Sequence, residues 1–250
     1  MKGCLRVVGI GPGAEGLLTP LARRALEEAT AVVGYRAYLE MVAGLLAGKT
    51  AIPFELGQEV ERARKALALA GEGERVVLLS SGDPGIYGMA SPALEAWLAL
   101  APQHRPPLEV VPGVPALTAC AALLGAPLGH DFAVVSLSDL LTPWEVIVRR
   151  LEAAAVADFV VVIYNPRSRG RPWQLGEARR ILLRYRHPDT PVGVVRRAFR
   201  PGQAVAISTL GTLDETTVDM ETTLVVGSSR TLARDGVMLT PRGYRQEVEA

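Results

Sequence analysis

Cysteine and histidine are scarce, with two Cys and three His among 250 residues. Cys4 and Cys120 stand apart among apolar neighbours without a C-x-x-C spacing, which argues against a disulfide framework or a zinc site and leaves two buried thiols as the expectation. His104, His130 and His187 are scattered, and none pairs with another His or Cys at metal-ligand spacing, so no protein-bound metal is expected. Neither sign of charge is in excess. The 27 basic and 26 acidic residues give +1, too little for a global field that gathers nucleic acid, so no nucleic-acid partner is expected and any polyanion site must be local. Long apolar runs are also missing. The longest, 153–163, is interrupted by Asp158 and falls short of the roughly 18 residues of a membrane span, while glycines break the amino-terminal stretch before it could serve as a signal-peptide core. The expectation is a cytoplasmic protein without membrane association.

What is present is material for a substantial core: 49% of the residues are apolar. Short β-branched runs alternate with longer helical patterns, the signature of an α/β architecture whose early sheet is mainly parallel. In the first half the runs at 5–10, 31–33, 75–80 and 108–111 predict strands, and helical spacing covers 20–29, 37–47, 58–70 and 90–100, with Thr19-Pro20 and Ser91-Pro92 as start signals. Val111-Pro112-Gly113-Val114-Pro115 then stops the pattern, so a domain boundary is expected between residues 112 and 113. The second half predicts helices at 116–124, 143–155 and 174–185 and strands at 132–135, 159–164 and 191–195. The strands at 204–208, 222–226 and 236–239 are close enough together to suggest antiparallel hairpins.

Two glycine-rich loops follow predicted strands. Gly9-Ile10-Gly11-Pro12-Gly13-Ala14 fits the dinucleotide pattern G-x-G-x-x-A. Two features oppose that reading: Pro12 removes a backbone donor from the turn, and Val33-Gly34-Tyr35 stands where a ribose-binding carboxylate belongs. No Gly-Lys-Ser/Thr follows, which rules out a Walker loop. A plain tight turn between strand and helix stays open for this triplet. The second loop, Ser80-Ser81-Gly82-Asp83-Pro84-Gly85-Ile86-Tyr87-Gly88, should lie beyond the carboxyl end of its strand, where open α/β sheets bind ligands. Asp83 fits there either as a ligand contact or as the cap of an Asx turn.

Taken in order, the triplet from Gly9 to Gly13, Ser81-Gly82-Asp83-Pro84 with Ile86-Tyr87-Gly88, Val111-Pro112-Gly113-Val114 and Tyr164-Asn165-Pro166 resemble the motifs of the tetrapyrrole methylases. Within that family, three longer strings resemble the precorrin-3B C17-methyltransferase branch: Gly34-Tyr35-Arg36-Ala37-Tyr38, the run from Ser136-Leu137-Ser138-Asp139 through Leu140-Leu141-Thr142-Pro143-Trp144, and Tyr164-Asn165-Pro166-Arg167-Ser168. The resemblance covers essentially the whole chain.

It implies two α/β domains with S-adenosylmethionine bound in a cleft between them, and methylation of C17 of precorrin-3B or cobalt-precorrin-3 with ring contraction. Motif by motif, it implies cofactor contacts at Pro12, Ser81, Gly82, Asp83, Ile86, Pro115, Ala116, Asn165 and Ala198. Pro115 stands where the family more often has Ser or Thr, and Arg196-Arg197-Ala198 departs from the usual Asn-rich context. The tetrapyrrole substrate carries many carboxylates, so arginines should face it, with the cluster Arg167, Arg169 and Arg171 foremost and Arg36, Arg196, Arg197 and Arg200 the further candidates. Tyr38, with Tyr35 and Trp144, either stacks on the macrocycle or belongs to the core. For the proton handling of ring contraction the candidates are Asp83, Asp139 and His130. A homodimer is expected. The alternatives are another tetrapyrrole methylase, a methyltransferase like diphthine synthase, and a non-enzymatic nucleotide-binding module built on the first glycine loop.

Overall fold

A computed structural model describes residues 3–244 of the chain, which divides into two compact units between Ala116 and Leu117. The division falls a few residues beyond Pro112, because residues 113–116 stay with the first unit: the backbone of Pro115 and Ala116 packs 3.6–3.7 Å from the position of a Cβ on Gly82.

The first unit runs β1 (Cys4–Gly9), α1 (Pro20–Glu28), β2 (Ala31–Tyr35), α2 (Arg36–Met41), β3 (Thr50–Phe54), α3 (Glu59–Gly71), β4 (Arg75–Ser80), α4 (Ala90–Leu98) and β5 (Leu108–Val111). Its sheet has the order β3-β2-β4-β1-β5 and every pair is parallel. Parallel strands are covered on both faces, so their sequences read as continuous apolar runs. Alternate residues accordingly feed two separate cores: Leu5, Val7, Val33, Val76 and Leu78 pack with α3 and α4, while Val8, Val32, Val77, Leu79 and Val111 pack with α1 and α2. Thr19 caps α1, its hydroxyl accepting from the Ala22 N–H at 3.1 Å with Pro20 in the first turn.

The second unit runs α5 (Ala116–Leu124, of which Leu117 onward belongs to this unit), β6 (Gly125–Ala126), β7 (Phe132–Ser136), α6 (Trp144–Val156), β8 (Val160–Tyr164), α7 (Gln174–Leu182), β9 (Pro191–Arg196), β10 (Ala204–Thr209), β11 (Thr222–Val226), β12 (Leu232–Arg234) and β13 (Val237–Leu239). The main sheet has the order β10-β9-β11-β8-β7. β7 and β8 are parallel, whereas β11 lies antiparallel between β8 and β9. The carboxyl ends of β7, β8 and β9 therefore share one edge with the amino end of β11. The antiparallel hairpins expected among the strands at 204–208, 222–226 and 236–239 are not formed: β10 pairs antiparallel with β9, β11 inserts between β9 and β8 instead of pairing with β10, and β13 joins β12 and β6 in a separate small sheet.

Sequence reasoning passes over β3, whose Pro53 normally argues against a strand. The residue is tolerated because β3 is the sheet edge. The helix expected over 37–47 is shorter, ending at Met41 before a 3₁₀ turn at Ala43–Leu45. Of the two cysteines, Cys120 is buried while Cys4 is partly exposed. The Cys120 thiol pKa is pushed up to about 11 because burial disfavours the thiolate.

Arg186 holds the second unit together from inside. Its guanidinium donates to the carbonyls of Gly227 (2.6 Å) and Phe159 (2.6 Å) and pairs with Asp158 at 3.1 Å, with the side chain 1% exposed. Burial pulls its pKa down, against the pull of Asp158. Arg186→Ala strands buried carbonyls and one carboxylate, and should cost about 3–5 kcal/mol of stability in chemical denaturation. A loss within about 0.5 kcal/mol, the range of ordinary surface changes, would contradict this role.

Candidate functional site

The first unit places three motif loops side by side, because β4, β1 and β5 are neighbours and parallel. Loops 10–19, 81–89 and 112–115 thus leave adjacent carboxyl ends, the position where open α/β sheets bind ligands. Backbone closes them on one another. Gly11 and Gly82 exchange hydrogen bonds at 3.2 and 2.8 Å, and Gly82 adopts φ 58° to do so. A Cβ on Gly113 would stand 2.1 Å from the Gly82 carbonyl oxygen, and one on Gly9 would stand 2.6 Å from it. Only glycine permits this approach.

Asp83 ties the cluster. Its Oδ1 accepts from the Gly85 N–H at 2.8 Å, the Asx turn, and its Oδ2 accepts from the Gly113 N–H at 3.1 Å, across to the next loop. Both carboxylate oxygens are therefore engaged by backbone donors. Ser81 donates its hydroxyl to Tyr38 Oη at 2.9 Å, and Tyr38 stacks edge-to-face on Tyr35 at 5.1 Å. Pro12, Ile86, Pro115 and Ala116 are all half-buried in or beside these loops. The only charged residues in the three loops are Glu15 and Asp83; no Lys or Arg lies in them. Arg36 starts α2 and pairs with Glu55 at 3.0 Å, with both side chains 59% exposed.

The second unit gathers its own candidates at the carboxyl ends of β7, β8 and β9. Asn165 follows β8 in the left-handed region (φ 50°), which Asn tolerates, and its Nδ2 donates to Ser136 Oγ at the end of β7, 2.9 Å away. Tyr164 Oη accepts from the Leu117 N–H at 2.8 Å. Ala198 is buried between Arg197 and Phe199, both at positive φ. A pocket of about 550 Å³ opens here, lined by Arg167 and Arg169 on one side and Asp219, Met220 and Glu221 on another.

The arginines of this end divide by partner. Arg196 pairs with Asp219 (2.7 Å) and Glu221 (3.1 Å), Arg197 with Glu221 (2.6 Å), and Arg200 with Glu221 (3.7 Å). Burial would raise the Asp219 carboxyl, but hydrogen bonds from Arg196, Thr222 and the Glu221 N–H hold it below its ordinary value. Arg171 is not a surface ligand arginine: it is buried, donating to the Leu137 and Asn165 carbonyls at 3.3 and 3.1 Å. Arg167 donates at 3.3 and 3.4 Å to the carbonyls of Glu215 and Thr216. Arg169 is exposed, with no hydrogen bond or ion pair among the described residues.

Of the three proton-handling candidates, Asp139 lies in the loop after β7 and accepts from Gln174 Nε2 at 3.0 Å. His130 does not join it. It precedes β7, at the opposite end of that strand, exposed beside Asp131. Trp144 packs on the core and meets Trp173 edge-to-face at 4.9 Å. Sequence reasoning missed Ser136, Gln174 and the Asp219/Glu221 pair; adjacent Arg196-Arg197, which need carboxylates close by, are the signal that points to the last.

The chain matches the family model of the tetrapyrrole (corrin/porphyrin) methylases over residues 5–214, and it belongs to that family. It is a methyltransferase. It is 47% identical to a probable cobalt-factor III C(17)-methyltransferase of Salmonella typhimurium, over 96% of this chain and 99% of that protein. Identity to a precorrin-3B C(17)-methyltransferase of a Sinorhizobium species is 43%, over 98% of each. A cobalt-factor III methyltransferase of Priestia megaterium is 46% identical over 99% of this chain, which spans only 46% of that longer protein. Among solved structures, that of the methyltransferase CobJ superposes with a TM-score of 0.91 at 41% identity, covering 96% of this chain and 100% of the other. A uroporphyrin-III C-methyl transferase from Thermus thermophilus, complexed with S-adenosylhomocysteine, superposes at 0.68 with 30% identity, covering 90% and 92%.

The Asp83 geometry carries a prediction of its own. Asp83→Ala should lower stability by about 1–3 kcal/mol, since each lost charge-assisted bond is worth about 1.5–3 kcal/mol before screening at this half-buried site. Asp83→Asn, which keeps one acceptor oxygen, should fall between. Urea denaturation of the three proteins is the check, and equal stabilities would show that the carboxylate does not hold the loops.

Proposed function

We propose that this chain transfers a methyl group from S-adenosylmethionine to C17 of a precorrin-3-type tetrapyrrole and promotes contraction of the ring. The observation that carries this reading is end-to-end likeness, at 43–47% identity, to proteins named as C17-methyltransferases. Their names include both a cobalt-bearing and a cobalt-free substrate, so any cobalt belongs to the substrate and not to the protein. The reading includes a homodimer acting in the cytoplasm, the first of which light scattering can check. No helix among the described residues is long and apolar enough to cross a membrane.

The first-unit loops fit the cofactor on charge. A sulfonium cation favours an environment of carbonyl oxygens and carboxylates, and the loops offer glycine backbone and acids without a single base. A pyrophosphate would meet the opposite of what it needs. Pro12, Ser81, Gly82, Asp83, Ile86, Pro115 and Ala116 are the proposed contacts from this unit, and Asn165 and Ala198 from the other. When bound, S-adenosylmethionine supplies a methyl group already activated for displacement, which leaves the protein mainly to orient the acceptor carbon. Arg169, with Arg167 behind it, serves as the charge partner for substrate carboxylates, while Arg36 and Tyr38 are further proposed contacts.

Three measurements test this. S-adenosylhomocysteine should raise the melting temperature, and NAD and ATP should not; a shift from NAD alone would overturn the methyltransferase reading. Product formation from cobalt-bearing and cobalt-free precorrin-3 forms, followed by mass spectrometry, should show one added methyl group. Arg169→Ala should raise the substrate dissociation constant about tenfold or more and leave S-adenosylhomocysteine affinity unchanged, since one charge-assisted contact is lost. Lys at this position should rescue only in part, because it loses the planar fork.

A further inference from the structure

Asp139 and Gln174 form a pair that the described site does not yet use. Asp139 is half-buried in the loop that follows β7, within a few residues of Ser136 and its bond to Asn165. Gln174, the first residue of α7, is 1% exposed, and its amide makes one bond, Nε2 to Asp139 Oδ2 at 3.0 Å. Its Oε1 is buried without a partner. A buried amide oxygen left unbonded costs about 1–3 kcal/mol, so the fold keeps a defect here that apolar packing would have avoided.

One change of state removes the defect. A protonated Asp139 can offer its hydroxyl to Gln174 Oε1 while its carbonyl keeps the Nε2 bond, closing an acid–amide pair in which both groups are satisfied. An ionised Asp139 has no donor to offer, and exchanging the amide's O and N only moves the unmet bond from acceptor to donor. Resting on the proposed ring-contracting methyl transfer, we propose that Asp139 stores and delivers a proton for that reaction, with Gln174 as its positioning residue. Delivery makes and breaks only O–H bonds and moves no electrons. The neutral acid gives its proton to a basic oxygen of the substrate, the carboxylate keeps the Nε2 bond, and solvent returns a proton.

The surroundings leave the role open to Asp139 and not to its neighbours. Among the other carboxylates of this end, Asp219 is bound to Arg196, Glu221 to Arg196, Arg197 and Arg200, and Glu215 to Arg179, while Asp214 accepts from Thr216. Arg171 approaches the same loop, but its guanidinium is spent on the Leu137 and Asn165 carbonyls and Met220 Sδ. On the flanking helices, α7 carries Glu177, paired with Arg180, and the first turn of α6 carries Glu145. Asp139 itself has no ion pair among the described residues. Leu140 and Leu141 beside it are 78% and 99% exposed, apolar surface next to the acid that an apolar macrocycle can cover.

The test uses the full chain with S-adenosylmethionine and the tetrapyrrole. Asp139→Asn retains an amide partner for Gln174 and should fold with unchanged melting temperature and unchanged affinity for S-adenosylhomocysteine. Its kcat should fall at least tenfold with KM nearly constant, and the limb of the wild-type pH profile that reports a carboxyl group should disappear. Gln174→Leu, checked for folding by its melting curve, should displace the midpoint of that limb. Wild-type kcat and an unaltered pH profile in Asp139→Asn would overturn the proposal. Carbon-13 NMR of labelled aspartate gives a readout independent of turnover: the Asp139 carboxyl signal, assigned by its loss in Asp139→Asn, should titrate at a different pH in Gln174→Leu, and an identical titration would overturn the positioning role. Failure of the wild type to methylate any tetrapyrrole would instead refute the functional reading on which this rests.

Discussion

The closure of three loops by backbone alone is the constraint on which the first unit depends. Gly9 and Gly113 approach the Gly82 carbonyl too closely to carry a side chain, Gly82 itself holds a positive φ, and Asp83 spends both oxygens holding the arrangement. The sheet order makes this possible, since the parallel neighbours β4, β1 and β5 deliver their loops to one edge. The result is a set of loops built of carbonyls, amides and mostly small side chains that contain no basic residue of their own, Arg23 of α1 reaching them only to pair with Glu15. Such a surface suits a compact cation far better than a phosphate.

In the second unit the corresponding end is rich in arginine, and most of these side chains are tied to neighbouring groups. Three arginines share the two carboxylates Asp219 and Glu221, and a fourth, Arg171, is buried as a staple between loops. Those pairings fix the shape of the pocket wall. Arg169 is what remains uncommitted, and it lies where the 550 Å³ pocket opens. An arginine cluster read from sequence is thus mostly architecture, with one exposed guanidinium that has no hydrogen bond or ion pair among the described residues.

Much of this is legible in the sequence, and the exceptions have physical causes. The buried strands β1, β4 and β8 announce themselves because parallel strands covered on both faces must be continuously apolar. β3 is hidden because an edge position excuses its Pro53, and β6 because a strand of two residues has no pattern to read. The order of β11 is a tertiary choice that strand spacing does not encode. Asp83 is recognisable as important, but its double role needs the loop after β5 to be placed beside it. His130 enters the candidates by residue type alone, and the direction of β7 separates it from Asp139. Gln174 carries no motif; only its burial and its unpaired oxygen mark it.

The central claim, that glycine-to-glycine closure builds the cofactor-facing surface, is tested most directly by titrating S-adenosylhomocysteine into Gly113→Ala. The added methyl group must displace the Gly82 carbonyl, from which it would stand 2.1 Å. Affinity should fall by about tenfold or more, equivalent to about 1.4 kcal/mol, in a protein that still melts cooperatively. Wild-type affinity in that variant would contradict the claim.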